Sequence, residues 1–124
     1  MKIEVSNGEI IDKLTILSIK MENIMEEDKL ENIRKEYSHL KEAADEIGIN
    51  EGSELYRKML SVNKKLWDIE DRIRDCERNK DFGDVFVELA RSVYITNDER
   101  SRIKREINLA TGSDLTEEKS YKDY

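Results

Sequence analysis

The stretch "LARSVYITNDERSRIKREIN", residues 89–108, decides the fold, because it reads either as one long helix or as two. Leu89, Ala90 and Val93, preceded by Phe86, form an amphipathic stripe at helical spacing. Counting 100° per residue from Val93, Asn97 then falls about 40° away, Arg100 about 20° and Lys104 about 20°. Polar groups that are costly to bury therefore occupy positions where core residues are expected. "TNDE", residues 96–99, also has the form of a capping box, which would start a new helix and make Asn97 a start signal. Ile103 and Ile107 mark the inner face under either reading. Arg100 and Lys104 lie within or beside that face.

Outward from this stretch, the chain reads as helices joined by turns. "MKIEVS" alternates Ile3 and Val5 with polar residues, as a short strand or extended arm over residues 1–6 does. Such an arm needs a strand to pair with, which points to a homo-oligomer. "SNGE" is a capping box, with Ser6 accepting from the Glu9 amide and Glu9 reaching back. The first helix is expected from about Asn7 to Glu26, with Ile10, Leu14, Leu17, Met21 and Ile24 inward. The second starts near Asp28 and turns Leu30, Ile33, Tyr37, Leu40, Ala44 and Ile47 inward. "GINEGS" follows, with Gly48 suited to the residue after a helix end. Ser53 is placed to cap a third helix reaching about Asn79, with Leu55, Met59, Val62, Leu66, Ile69 and Ile73 inside. "NKDFGD" breaks it, and a fourth helix begins at Asp84. The tail, residues 111–124, reads as an irregular strap with Leu115 and two tyrosines. The fold class is all-α: an antiparallel bundle of four to five helices in a single domain over residues 1–124, without internal repeats.

Composition narrows the function classes. Charged residues make up 41% of the 124 residues and hydrophobic ones 37%, with no proline and five glycines. That balance suits helices with narrow apolar stripes and solvated outer faces. The net charge of −7 opposes binding to phosphate backbones, so nucleic acid is not expected as a partner. No apolar run approaches the roughly 20 residues of a membrane span, and no signal peptide precedes the first helix. One cysteine, Cys76, and one histidine, His39, leave no disulfide and no zinc cluster. The chain is expected in the cytoplasm, with no cofactor and no metal.

The third helix carries a polar flank that matches the fourth. From Leu66, Glu70 falls about 40° away, Asn63 about 60°, Arg74 about 80° and Trp67 about 100°. A buried carboxylate without a partner is strongly disfavoured, so Glu70 is expected to meet Arg100, Arg74 or Lys104. Two arrangements satisfy this pattern. One is a structural salt-bridge network or a helix–helix interface along which long cations snorkel. The other is a polar pocket in which Arg100 and Lys104 hold an anion, Asn63, Glu70 or Asn97 orient it, and Trp67 or Tyr94 offers a stacking face. Asp68, Asp71, Arg72 and Asp75 read as a solvated face. Glu9, Asp12, Glu36 and Glu70 could contribute to a magnesium site, but in no specific arrangement. No serine elbow, Cys–His pair or glycine-rich phosphate loop occurs, so no residue is assigned a catalytic role.

The segments "SNGEIIDKLTIL", "NKKLWDIEDRIR", "LARSVYITNDERSRIK" and "EEKSY" resemble a small bacterial and viral family known only as a domain of unknown function. The resemblance spans nearly the whole chain and implies a helical domain, without chemistry to transfer. It directs attention to Lys13, Thr15, Asn63, Trp67, Glu70, Arg91, Tyr94, Asn97, Arg100 and Lys104.

Together these readings give an expected function. The protein is a non-enzymatic binder that holds or sequesters a small anionic ligand, a nucleotide, cyclic nucleotide or phosphosugar, between its helices. The ligand-binding candidates are Asn63, Trp67, Glu70, Arg74, Tyr94, Asn97, Arg100 and Lys104. One alternative is a helical-bundle enzyme, either a magnesium-dependent nucleotide pyrophosphatase or a mutase that stabilises a charged transition state with cations. Another is a structural oligomerisation or adaptor module.

Overall fold

A computed structural model describes residues 1–124 and contains four helices and no strand: α1 (Asn7–Asn23), α2 (Glu27–Ile47), α3 (Glu54–Arg78) and α4 (Asp84–Thr111). No helix is long and apolar enough to cross a membrane.

The long stretch is one helix. α4 runs unbroken through Thr96, which is 1% exposed, so the "TNDE" capping pattern is not used. The reason lies in the spacing of its inner residues. Leu89, Val93, Thr96, Arg100, Ile103 and Ile107 alternate steps of four and three. In α3, Met59, Val62, Leu66, Ile69, Ile73 and Cys76 do the same. Two such stripes pack lengthwise, and a break at Thr96 would throw them out of register. Lys58 pairs with Glu106 at 3.4 Å and Lys65 with Glu99 at 4.0 Å, so α3 and α4 run antiparallel.

Continuity places polar atoms inside. The Thr96 hydroxyl is buried and has no hydrogen-bond partner in the chain. Removing a buried, unmade hydrogen bond by an isosteric change is neutral or stabilising. Thr96→Val is therefore expected to leave the melting temperature unchanged or to raise it, by up to about 1 kcal/mol in stability. A clear fall in calorimetry would mean that the hydroxyl has a role in the folded state.

α1 packs against all three other helices and buries a wide arc, with Gly8, Ile11, Asp12, Leu14, Thr15, Leu17 and Ile19 enclosed. Ser6 caps it by accepting from the Glu9 amide at 3.2 Å. Glu9 does not complete the expected box, because its carboxylate turns to Lys104 instead. The helix ends at Asn23, short of Glu26, where the Asn23 side chain takes the Ile19 carbonyl at 2.8 Å. α2 buries only Ala44 fully and stops at Gly48, whose φ of 84° is the left-handed conformation glycine adopts without strain. Ser53 precedes α3 but does not cap it, since its hydroxyl accepts from the Asn50 amide at 3.1 Å. Residues 1–5 form no strand and leave Ile3 and Val5 exposed.

The core is divided. The larger cluster joins Ile11, Leu14, Ala44, Ile49, Tyr56, Met59, Val62, Ile103 and Ile107. A smaller one, Ile69, Cys76 and Leu89, holds the far end of the α3–α4 hairpin with Ile73, Phe86 and Val93 against it. Between them lies a layer carrying Asn63, Leu66, Thr96 and Arg100. That layer positions the candidate site.

Candidate functional site

At the larger-cluster end of this layer sits a buried charge network. The Lys104 side chain, 9% exposed, points its ammonium at Glu117 (2.8 Å), Glu9 (3.3 Å) and Asp12 (3.7 Å). Asp12 is 4% exposed and also accepts from Asn63 Nδ2 at 2.9 Å, while the second Asn63 amide hydrogen goes to Thr15 Oγ1 at 2.9 Å. Thr15 in turn donates to the Asp12 carbonyl at 2.8 Å. Two helices approach closely here. The Gly8 amide donates to Asn108 Oδ1 at 2.6 Å, and a Cβ on Gly8 would lie 2.5 Å from the Lys104 carbonyl oxygen. Only glycine fits there.

Arg100, one turn before Lys104, is half-buried and differs sharply from it. Its Nε is buried without any acceptor in the chain. Two of the acidic groups around it are engaged elsewhere, Glu70 by Arg74 and Glu117 by Lys104, while Asp71, in the wall of the smaller cleft, enters no ion pair. Arg100 forms part of the wall of two clefts. One, of 340 Å³, lies on the α3 side and is lined by Ile16, Asn63, Leu66, Trp67, Glu70, Asp71, Arg74 and Arg100. The other, of 930 Å³, lies between α4 and the C-terminal strap, where Tyr94, Asn97, Arg100, Arg102, Tyr121, Lys122 and Tyr124 contribute.

The strap follows α4 on specific contacts. Ser113 Oγ accepts from the Asn7 amide at 3.0 Å, and Glu118 accepts from Arg105 Nη1 with both oxygens at 3.1 Å. Lys119 approaches Asp98 at 4.0 Å, and the Tyr124 ring meets Tyr94 edge to face at 5.3 Å. The hydrogen bond from Lys104 holds the Glu117 carboxyl below the usual value of 4.5, against the opposing effect of burial, and the charges of Lys104, Lys119 and Arg100 add to it. For Lys104, burial alone would push the ammonium down. The Glu117 hydrogen bond and the charges of Asp12 and Glu9 outweigh burial and raise it above 10.5.

The signs give a pH window. A carboxyl lowered on folding stabilises fully above its unfolded value and loses that effect as pH falls through the folded one. A raised ammonium stabilises fully below its unfolded value and loses it as pH rises through the folded one. The strap is thus expected to stay docked between about pH 4.5 and 10.5 and to loosen outside that range. Amide NMR signals of Glu117 and Glu118 check this. A strap whose signals keep their docked positions well below pH 4.5 would contradict the Glu117–Lys104 anchor.

The eight sequence candidates fall into two groups joined by Arg100. Asn63, Trp67, Glu70 and Arg74 meet Arg100 in the smaller cleft, whereas Tyr94 and Asn97 meet it under the strap. Lys104 stands apart from both groups. Its ammonium faces three carboxylates rather than open space, so an anion approaching it meets excess negative charge. Glu70 is not its counter-charge, because Glu70 pairs locally with Arg74 on α3. Asn97 is a mid-helix residue rather than a helix start. Of the residues singled out by resemblance, Thr15 joins the buried network, whereas Lys13 pairs with Glu36 and Arg91 with Glu88 at the surface. Glu9, Asp12, Gly8, Asn108 and Glu117 were not predicted as a group. "SNGE" showed only a cap, and nothing local in the sequence links it to α4. No group of three acidic, histidine or cysteine side chains is arranged to hold a metal ion, and Glu9 and Asp12 face the Lys104 ammonium instead.

No curated protein and no solved structure matches this chain. A family model does match it, across residues 1–124, and the chain belongs to that family, a family of unknown function (DUF6165).

Proposed function

We propose that this protein binds, without turning over, a small anionic ligand with a planar ring, seated in the 340 Å³ cleft beside Arg100. The observation that carries this reading is Arg100 itself: a half-buried cation without an acidic partner and with an orphaned Nε, in the same wall as the single tryptophan. A ligand's phosphate would pair with the guanidinium of Arg100 and supply the opposite charge that the chain does not. Trp67, half-buried at the cleft edge, offers a face for a ring. Asn63 has spent both amide hydrogens inward, which leaves its Oδ1 as an acceptor. The cleft volume is within the range of small-molecule sites. Binding without turnover is favoured because the lining offers two arginines, two carboxylates, a ring and an amide but no histidine, cysteine or serine nucleophile, and Glu70 is held by Arg74.

Trp67 fluorescence provides the test. Adenosine monophosphate or its cyclic form is expected to quench it saturably, and Arg100→Ala to weaken binding at least about tenfold, as loss of a charged hydrogen bond does. Glucose 6-phosphate separates an anion requirement from a ring requirement. The reading fails if none of the three binds by calorimetry, and magnesium-dependent product formation would replace it with the enzyme alternative.

A further inference from the structure

We infer that the ligand is a phosphate-linked pair of ringed units, a dinucleotide, with its bridging phosphate on Arg100. This inference rests on the proposed function and names the ligand class of that site. Arg100 alone among the cations belongs to both clefts, and it has no acidic partner and a buried Nε without an acceptor. Each cleft also has its own aromatic surface. Trp67 stands on the α3 side, and the edge-to-face pair Tyr94 and Tyr124 stands under the strap. Tyr94 lies six residues before Arg100 on α4, about 9 Å along the axis, which a nucleoside can span. The volumes, 340 and 930 Å³, leave room for one unit on each side.

Charge discriminates against other phosphorylated ligands. Below Arg100, Glu9, Asp12 and Glu117 outnumber the Lys104 ammonium, so a triphosphate tail would bring concentrated negative charge against carboxylates. A phosphodiester bears one charge, which Arg100 matches. Arg102 and Lys122 under the strap enter no ion pair and remain for a terminal phosphate.

The test compares adenosine monophosphate with the dinucleotide pApA by Trp67 quenching and calorimetry. The dinucleotide is expected to bind at least about tenfold tighter, the contribution of one further stacked base. In Tyr94→Ala that ratio is expected to fall toward one. Tyr94 is 45% exposed, so the variant should fold, which circular dichroism verifies. Equal affinity for the two ligands overturns the dinucleotide and leaves the proposed function standing, failure of both to bind overturns the dinucleotide, and failure of cyclic adenosine monophosphate and glucose 6-phosphate as well overturns the proposed function. A long oligoadenylate that binds tighter than its number of registers explains would make single-stranded nucleic acid the ligand and also overturn the inference.

Discussion

Lys104→Met is expected to destabilise the protein by about 3–5 kcal/mol, the cost of removing one partner from a buried ion pair. Methionine keeps the apolar stem and the length, so the loss isolates the charge. Without the ammonium, Asp12, whose side chain is 6% exposed, keeps only the Asn63 amide as a partner. It must then be protonated or drag water inward. The strap loses its Glu117 anchor in the same step. Adding Asp12→Asn removes the stranded charge, so the double variant is expected to recover much of the loss. Urea midpoints of the single and double variants measure this coupling. A single-variant loss below about 1 kcal/mol, the scale of a surface pair, would contradict a buried network.

The second large effect is Gly8→Ala, expected to cost about 2–3 kcal/mol through overpacking. Its sign is diagnostic, because an alanine replacing glycine inside a helix normally stabilises by up to about 1 kcal/mol. Here the new Cβ would meet the Lys104 carbonyl oxygen at 2.5 Å and carbon at 3.0 Å, which are backbone atoms of a packed helix. α1 must then move off α4, stretching the Gly8–Asn108 hydrogen bond and carrying Glu9 and Asp12 away from Lys104. Thermal melts of Gly8→Ala against wild type decide the point, and an equal or higher melting temperature would overturn the close approach.

How far the sequence revealed this structure depends on how local each signal was. The helices, the stop at Gly48 and the start at Asp84 follow from periodicity and turn chemistry that act over a few residues. The anomaly of Arg100 and Lys104 was legible for the same reason, as polar residues in phase with an apolar stripe. Their partners were not. Asp12 and Thr15 fall off the stripe drawn through Ile10, Leu14 and Leu17, because that reading assumes one buried face. α1 touches three helices and buries a wider arc. The nearest legible carboxylate, Glu70, was taken by Arg74 one turn away, whereas Glu9 and Glu117 reach Lys104 from opposite ends of the chain. The local capping signal at Thr96 lost to the register of the whole α3–α4 pair.

The divided core has a consequence for how the molecule moves. The hairpin tip rests on three buried side chains, Ile69, Cys76 and Leu89, whereas nine secure the opposite end. Fewer buried apolar contacts mean a lower free energy of local opening, so the tip can fray while the rest stays intact. The layer around Arg100 is the boundary between these two units of stability. A ligand held there would touch both, and its occupancy would be felt as a single cooperative body where the empty protein has a firm base and a looser arm.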